Sequence, residues 1–426
     1  MSRVSRHLLP DTATTVGGRL QIGGCDVHEL AVKYGTPLFV YDEMHLRARC
    51  AEAVRAFGAD AVVYATKAFL CTAMARLAHE EGLLLDVATG GELFVALNAG
   101  VPATRCVLHG NNKSVAELRE ALTVGVRHIV VDSFDELDRI DALVESGLSA
   151  PRVQLRITPG VYVHTHEFVS TGQNDSKFGF NLGNGDAQRA IDRARASRSV
   201  QLVGIHCHIG SNVFETANFT KAAEVMVAFA NHCELPELTL GGGLGVAYLN
   251  DEQAPTISEW AASLRAATSG LRAGVKIFVE PGRAIVAAAA VTLYEVGTIK
   301  PIPDVRTYVA VDGGMSDNPR PVLYGSGYEA FVPSRWEVER ALAVRLVGKH
   351  CESGDVLIAE AVLPSDLHVG DVIATPVTGA YGHSMGSNYN KVPRPAVVFV
   401  RDGVARVVVR RETYDDLVRN DVTDSV

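Results

Sequence analysis

AVVYATKAFLCTAMARLAHEEG, Ala61 to Gly82, decides how the rest of the chain is read. Its first five residues are apolar and rich in β-branched and aromatic types, which predicts a buried strand. The residues from Phe69 onward have helical spacing and stop at Gly82. Lys67 stands at the join, on the C-terminal tip of the strand, where β/α proteins build their active sites. A lysine there can equally carry its ammonium out to solvent along an apolar stem. Lys67 therefore gains meaning only from what the other strand ends carry.

Working outward, the same alternation repeats. Strands are expected at 61–66, 83–88, 105–110, 128–133, 152–158, 201–208, 237–242 and 276–281, most of them followed by a helical stretch such as GELFVALNAG or SVAELREALTVG. Eight such units over roughly 220 residues fit a (β/α)8 TIM-like barrel. After Arg283 the texture changes to strand-like runs broken by Gly, Pro and Asp, such as RTYVAVDGG and PAVVFVRDG, without long helices between them. That predicts a C-terminal antiparallel β-sandwich or barrel domain. The expected division is a lead-in segment over 1–35 packing with the β domain, a barrel over 36–284, and the β domain over 285–426. Within the lead-in, CDVHELAVKYG (25–35) predicts a helix ended by glycine.

Composition narrows the function classes. The 426 residues are 47% hydrophobic and 21% charged, with a net charge of −9, so no basic footprint for nucleic acid or an anionic membrane exists. The most apolar segment, Ala284 to Gly297, is too short to span a bilayer and carries Glu295. Seven cysteines are scattered without a CxxC pair, which suits free thiols in a reducing, cytoplasmic compartment.

The strand ends carry Lys67, Asp86, His109 with Asn111, Asp132, Arg156, His208 with Ser211, Gly241 to Gly243, and Glu280 with Arg283. Asp86 or Asp132 alone would pass for a helix cap or loop residue. His206 and His208 alternate on one strand, but no third ligand follows from spacing, so no metal is expected. The glycines after 237–242 let backbone amides approach an anion, or they merely turn tightly. HIGS (208–211) and EPGR (280–283) offer similar turns, and late barrel strands are a recurrent phosphate site. A phosphate beside a strand-end lysine suggests a phosphorylated aldehyde held as a Schiff base, which is pyridoxal 5'-phosphate. Neither a Walker loop nor a dinucleotide GxGxxG unit is present.

YATKA (64–68), GIHCHIGSN (204–212), LGGGLG (240–245), EPGR, CESGD (351–355) and GAYG (379–382) resemble the fold-type III pyridoxal-phosphate decarboxylases. DGGMSDNPRPVLYG (312–325) and STGQNDSKFGF (170–180) narrow the resemblance to the meso-diaminopimelate decarboxylases, which complete lysine biosynthesis. It runs from about Leu38 to Tyr381 and implies a head-to-tail homodimer with shared active sites and an amino-acid substrate. It further implies that Lys67 carries the cofactor, His208 stacks on its ring, and Glu280 pairs with the ring nitrogen. Ser211, the glycines Gly241, Gly242 and Gly243, the turn from Glu280 through Gly282 to Arg283, and Tyr381 would hold the phosphate. Asp86 would lie near the lysine end. Arg283, Arg320, Tyr324 and Tyr381 would bind substrate, the arginines its distal carboxylate. Cys351 would be a proton-donating thiol and Glu352 a contact to the distal amine, both supplied by the partner subunit. The loop near His166 to Phe178 would be a mobile lid. One departure is Asn212, where the family often has glutamine.

The chemistry of the residue types agrees. Losing CO2 from an amino acid leaves a carbanion that needs an electron sink, and a carboxylate at position 280 is what keeps a pyridine nitrogen protonated. Racemases of this fold commonly have an arginine there, so Glu280 favours decarboxylation. Arginine binds a second carboxylate bidentately, whereas a polyamine-forming decarboxylase would want an acid at position 320. Two alternatives stay open: a decarboxylase of another carboxylated amino acid or conjugate in specialised metabolism, and a non-catalytic regulator on the same fold.

Overall fold

A computed structural model describes residues 3–161 and 175–422. The chain divides into two compact units, one comprising Arg49–Val246 with Ala254–Ala284, the other Met1–Ala48, Ala247–Gln253 and Ile285–Val426.

The first unit is the barrel. Its strands are β1 (Val63–Ala65), β2 (Leu84–Val87), β3 (Cys106–Leu108), β4 (His128–Val131), β5 (Arg152–Thr158), β6 (Gln201–His206), β7 (Glu237–Thr239) and β8 (Lys276–Phe278). Each pairs in parallel with the next. Closure comes from Val63 N–H donating to Val279 O at 2.8 Å and Val279 N–H donating to Ala61 O at 3.0 Å. Every barrel strand expected from the sequence is present, in order; 152–158 keeps both its bounds and each of the other seven is shorter by two or three residues in all. Apolar residues of several strands meet inside, with Val63, Leu84, Val107, Val130 and Phe278 forming one buried cluster.

Capping chemistry converts strand ends into helix starts. Thr89, Ser114, Ser133 and Thr256 each accept from the backbone amide three residues on, at the heads of the helices Gly90–Asn98, Val115–Val124, Phe134–Glu145 and Ile257–Ala267. Each cap satisfies a backbone donor that the helix itself cannot. Gly125, in the left-handed conformation, closes the second of these helices.

The second unit is built on the 13-residue strand Ala290–Ile302. Along its length it pairs antiparallel with Arg306–Val311, Val372–Pro376 and Leu38–Asp42. The expectation of an antiparallel domain needs amendment, because the sheet is mixed. Leu38–Asp42 pairs in parallel with Ala396–Arg401, and Arg306–Val311 with Arg340–Val347. The division drawn at residue 36 also differs from the structure. Leu38–Asp42 is buried throughout and hydrogen-bonded on both edges within this sheet, so residues up to Ala48 group with the β unit. Four apolar residues closed by an aspartate read the same in either setting, and only the pairing partners decide. The segment before it contacts the same unit: Gly403 N–H donates to Gly23 O at 2.7 Å. The predicted helix is Val27–Tyr34, capped by Asp26 and followed by Gly35 at φ +72°.

Candidate active site

The C-terminal ends of the barrel strands bring the predicted residues to one face. Lys67 lies in the single turn Thr66–Ala68 that follows β1, and its side chain is exposed. Glu280, just past β8, is 6% exposed and lies between two imidazoles. His206 Nε2 is 2.9 Å from its Oε2, and His109 Nε2 is 3.1 Å from its Oε1. His109 Nε2 also lies 3.8 Å from Asp86 Oδ1, which links the β2, β3, β6 and β8 ends in one buried chain of charge.

The electrostatics of this cluster follow from burial and neighbours. Burial alone would raise the Glu280 carboxyl, but His206 and His109 more than offset it and hold the group well below the usual carboxylate range. Asp86 is pushed up, by burial first, with His109 opposing and Glu280 reinforcing the shift. Burial disfavours charge on both histidines. His109, facing two carboxylates, is nevertheless raised, whereas His206 is lowered. Arg156 lies buried nearby, 3.6 Å from Asp132 and 4.2 Å from the centre of the Phe178 ring.

His208 does not join His206 in a metal-type pair. Its Nδ1 accepts from Gly242 N–H at 3.3 Å, and burial, with Lys67 and Arg156 adding to it, holds its ring well below the ordinary imidazole range. His109, His206 and Glu280 do place three ligand-capable atoms within 4.8 Å of one another. The 2.9 Å separation of His206 from Glu280 is nonetheless that of a hydrogen bond. Two ligands of one tetrahedral zinc stand about 3.3 Å apart, given bonds near 2.0 Å.

The glycines turn out to be demanded first by backbone packing. A Cβ at Gly242 would sit 1.9 Å from Glu280 O, and one at Gly243 2.1 Å from Gly210 O. At Gly241 it would lie 2.5 Å from Cys207 O, and at Gly282 2.9 Å from Ala65 Cβ. The turns after β6, β7 and β8 are therefore stacked in direct contact, which concentrates their amides. Beside them Arg283 Nη2 donates to Ser211 Oγ at 2.9 Å. Asn212, the departure from the family, has φ +60°, a conformation in which Asn is favoured over most other side chains. Of the expected lid, residues 166–174 lie outside the described residues.

The remaining candidates belong to the β unit. Arg320 opens the short helix Arg320–Tyr324 and is 4% exposed. Its guanidinium lies 4.2 Å from the centre of the Tyr248 ring and 5.5 Å from that of Tyr328, and Nη1 bonds to the Tyr328 hydroxyl. Its Nε is buried with no hydrogen-bond partner among the described residues. Tyr324 is half-buried, and Tyr381 is half-buried with φ +61°. Cys351 and Glu352 are exposed; the other six cysteines are buried, and all seven are unbridged. From beneath, Asn390 Oδ1 accepts from Cys351 N–H at 3.3 Å and lies 3.1 Å from His350 Nδ1, while His350 Nε2 is 2.8 Å from Ser316 Oγ.

Sequence reasoning missed several of these residues. His109 was legible only as a strand end, and His206 only as a weak metal signal. Tyr248, Tyr328, His350 and Asn390 carried no signal at all; the partners of Tyr248, His350 and Asn390 are distant in sequence, and Tyr328 meets Arg320 across a loop of no readable pattern. Tyr248 is 72 positions from the arginine it faces, and only tertiary packing joins them.

Among the described residues no helix is long and apolar enough to cross a membrane. Residues 43–287 match the family model described as pyridoxal-dependent decarboxylase, pyridoxal binding domain. The chain is 46% identical over 442 residues to a diaminopimelate decarboxylase of Mycobacterium tuberculosis, covering 98% of this chain and 99% of that protein. It is 48% identical over 420 residues to a diaminopimelate decarboxylase of Bacillus subtilis, covering 95% of each. The crystal structure of diaminopimelate decarboxylase from M. jannaschii in complex with L-lysine superposes with a TM-score of 0.90 at 34% identity, covering 97% of this chain and 98% of that one.

Proposed function

The chain belongs to the diaminopimelate decarboxylases, a family of pyridoxal-dependent enzymes, and from that premise we propose that it converts meso-2,6-diaminopimelate to L-lysine and CO2 as the last step of lysine biosynthesis, in the cytoplasm. The observation that carries the reading is the buried Glu280 carboxylate, held ionised by His206 and His109 at the strand ends that also present Lys67.

The residues present fit pyridoxal 5'-phosphate. Lys67 is accessible at a strand tip and would hold it covalently. Ser211 and Arg283, already paired at 2.9 Å among the stacked glycine turns of Gly241, Gly242, Gly243 and Gly282, would take the phosphate, with Tyr381 added by the family resemblance. His208, its Nδ1 occupied by Gly242 N–H, would present its ring face to the pyridine. When bound, the cofactor supplies an electron sink for the carbanion left by loss of CO2. Glu280 keeps a proton on the ring nitrogen, and Asp86 adds negative charge near the lysine end. Arg320, its Nε without a hydrogen-bond partner among the described residues and its guanidinium oriented by two tyrosines, binds the distal carboxylate, with Arg283 and Tyr324 assisting as the family resemblance implies.

Cys351 and Glu352 are exposed in the single chain, which is what a contribution to a second copy's site requires. We assign the thiol as proton donor and the carboxylate as the contact to the distal amine, in a homodimer with shared sites. The test is to supply the purified protein with pyridoxal phosphate and, separately, meso-, LL- and DD-diaminopimelate, L-ornithine and L-lysine, following CO2 and amine product. Lysine from the meso isomer alone is the expected result. A cofactor-loaded protein inert to all five would sink the substrate assignment, and failure to bind the cofactor would sink the whole reading.

A further inference from the structure

We propose that His206 and His109 are positioning residues that act through Glu280, holding it as a fixed anion toward the ring nitrogen of the cofactor. The inference rests on the reading of the site given above and adds two residues to it. Glu280 is 6% exposed, and a carboxyl group buried to that degree without partners would take up a proton. A neutral glutamic acid could not hold the ring nitrogen protonated, so something must keep the charge on it.

The geometry divides that work between the two imidazoles. His206 makes the directional contact, 2.9 Å from Nε2 to Oε2, while its Nδ1 is buried with no hydrogen-bond partner among the described residues. An unpartnered buried N–H would cost more than an unpartnered lone pair, so the proton belongs on Nε2 and the ring donates as a neutral imidazole. His109 makes the charge contact, facing Glu280 Oε1 at 3.1 Å and Asp86 Oδ1 at 3.8 Å. The rings pack against each other at 66° with centroids 5.1 Å apart, so neither can turn without displacing the other. The glutamate backbone is fixed as well, because Glu280 N–H donates to Gly241 O at 2.7 Å. Arg156, Lys67, His208 and Cys207 also face the cluster; Arg156 favours the Glu280 anion and Lys67 the neighbouring Asp86 anion. A carboxylate has about four lone-pair positions, so two imidazoles leave room for a third donor from the ring.

The test uses the full chain loaded with pyridoxal phosphate labelled with nitrogen-15 in the ring. Glutamine at 206 can place an amide N–H where Nε2 now stands, whereas asparagine reaches only the position of Nδ1. His206→Asn is expected to bind the cofactor at Lys67, to move the ring-nitrogen NMR signal toward the unprotonated value, and to lose about tenfold to a hundredfold in kcat, the loss of a hydrogen bond to a charged group. KM should change little. His206→Gln should restore the signal and most of the rate, and His109→Gln should move the signal in the same direction as His206→Asn. A protonated ring and an unchanged kcat in His206→Asn would overturn the proposal. So would equal loss in the Asn and Gln variants, which would make His206 a packing residue. A wild-type protein that fails to bind the cofactor would instead overturn the functional reading beneath it.

Discussion

Arg320 illustrates how the surroundings of a single buried side chain set its charge and orientation. Burial disfavours its charge, but Tyr248, Tyr328 and Tyr381 favour it and raise its pKa above the ordinary arginine value. Its planar fork suits a carboxylate in a way that a lysine ammonium cannot reproduce. Arg320→Lys is expected to lower kcat/KM for meso-diaminopimelate about tenfold to a hundredfold, mainly through KM, as steady-state kinetics would show. Asp317 is the counterpart for stability. Burial pushes its carboxyl up to about 7, with Gly314 N–H opposing and Asp312 and Asp355 reinforcing the rise. In the unfolded chain the group ionises near 3.8, so folding retains a proton between those values. The associated stability is fully present below the lower value and is lost as pH rises through the upper one. Asp317→Asn should therefore flatten the fall in melting temperature between about pH 4 and pH 7. An unchanged slope would remove Asp317 from the account.

Among the elements, the turn between β3 and the helix Val115–Val124 carries a charge that the barrel cannot leave unpaired. Lys113 is 2% exposed, 2.7 Å from Glu136 Oε1, and donates to Gly110 O and Val130 O at 2.7 Å each. Burial lowers the lysine and raises the glutamate, the two shifts expected of a pair removed from water. Breaking such a pair is worth more than the pair itself, because the survivor stays buried and charged. Lys113→Met is expected to cost about 3–5 kcal/mol in chemical denaturation, and adding Glu136→Leu should recover much of it. If the double variant is no better than the single one, desolvation is not the governing cost. The elements themselves were largely readable, since most barrel strands are short apolar runs followed by Ala-, Glu- and Leu-rich helical stretches. The strand Leu38–Asp42 was the exception, because apolar content announces burial without naming the sheet.

At the scale of the whole molecule, Cys351 and Glu352 are exposed, and their proposed role in a partner's site ties the function to assembly. If each active site draws Lys67 from one subunit and Cys351 from another, Lys67→Ala and Cys351→Ala proteins should each be nearly inactive. Unfolded and refolded together, they should regain roughly a quarter of wild-type activity, since half the dimers are mixed and each of those has one intact site. No recovery would place both residues in one subunit's site. The sequence by itself determined the eight-strand barrel, the β-rich second unit and the strand-end positions of Lys67, Ser211, Glu280 and Arg283, because strand period and glycine turns are local properties, whereas Arg320 was singled out only by motifs shared with the family. Only the tertiary structure decided that Glu280 lies between His206 and His109, that Arg320 lies against Tyr248 and Tyr328, and that Leu38–Asp42 pairs in the β unit. Apart from Arg320 with Tyr328, those contacts join residues tens to hundreds of positions apart. Their geometry is set by which strands become neighbours and how closely the turns between them pack, and a single strand or helix read alone does not contain that information.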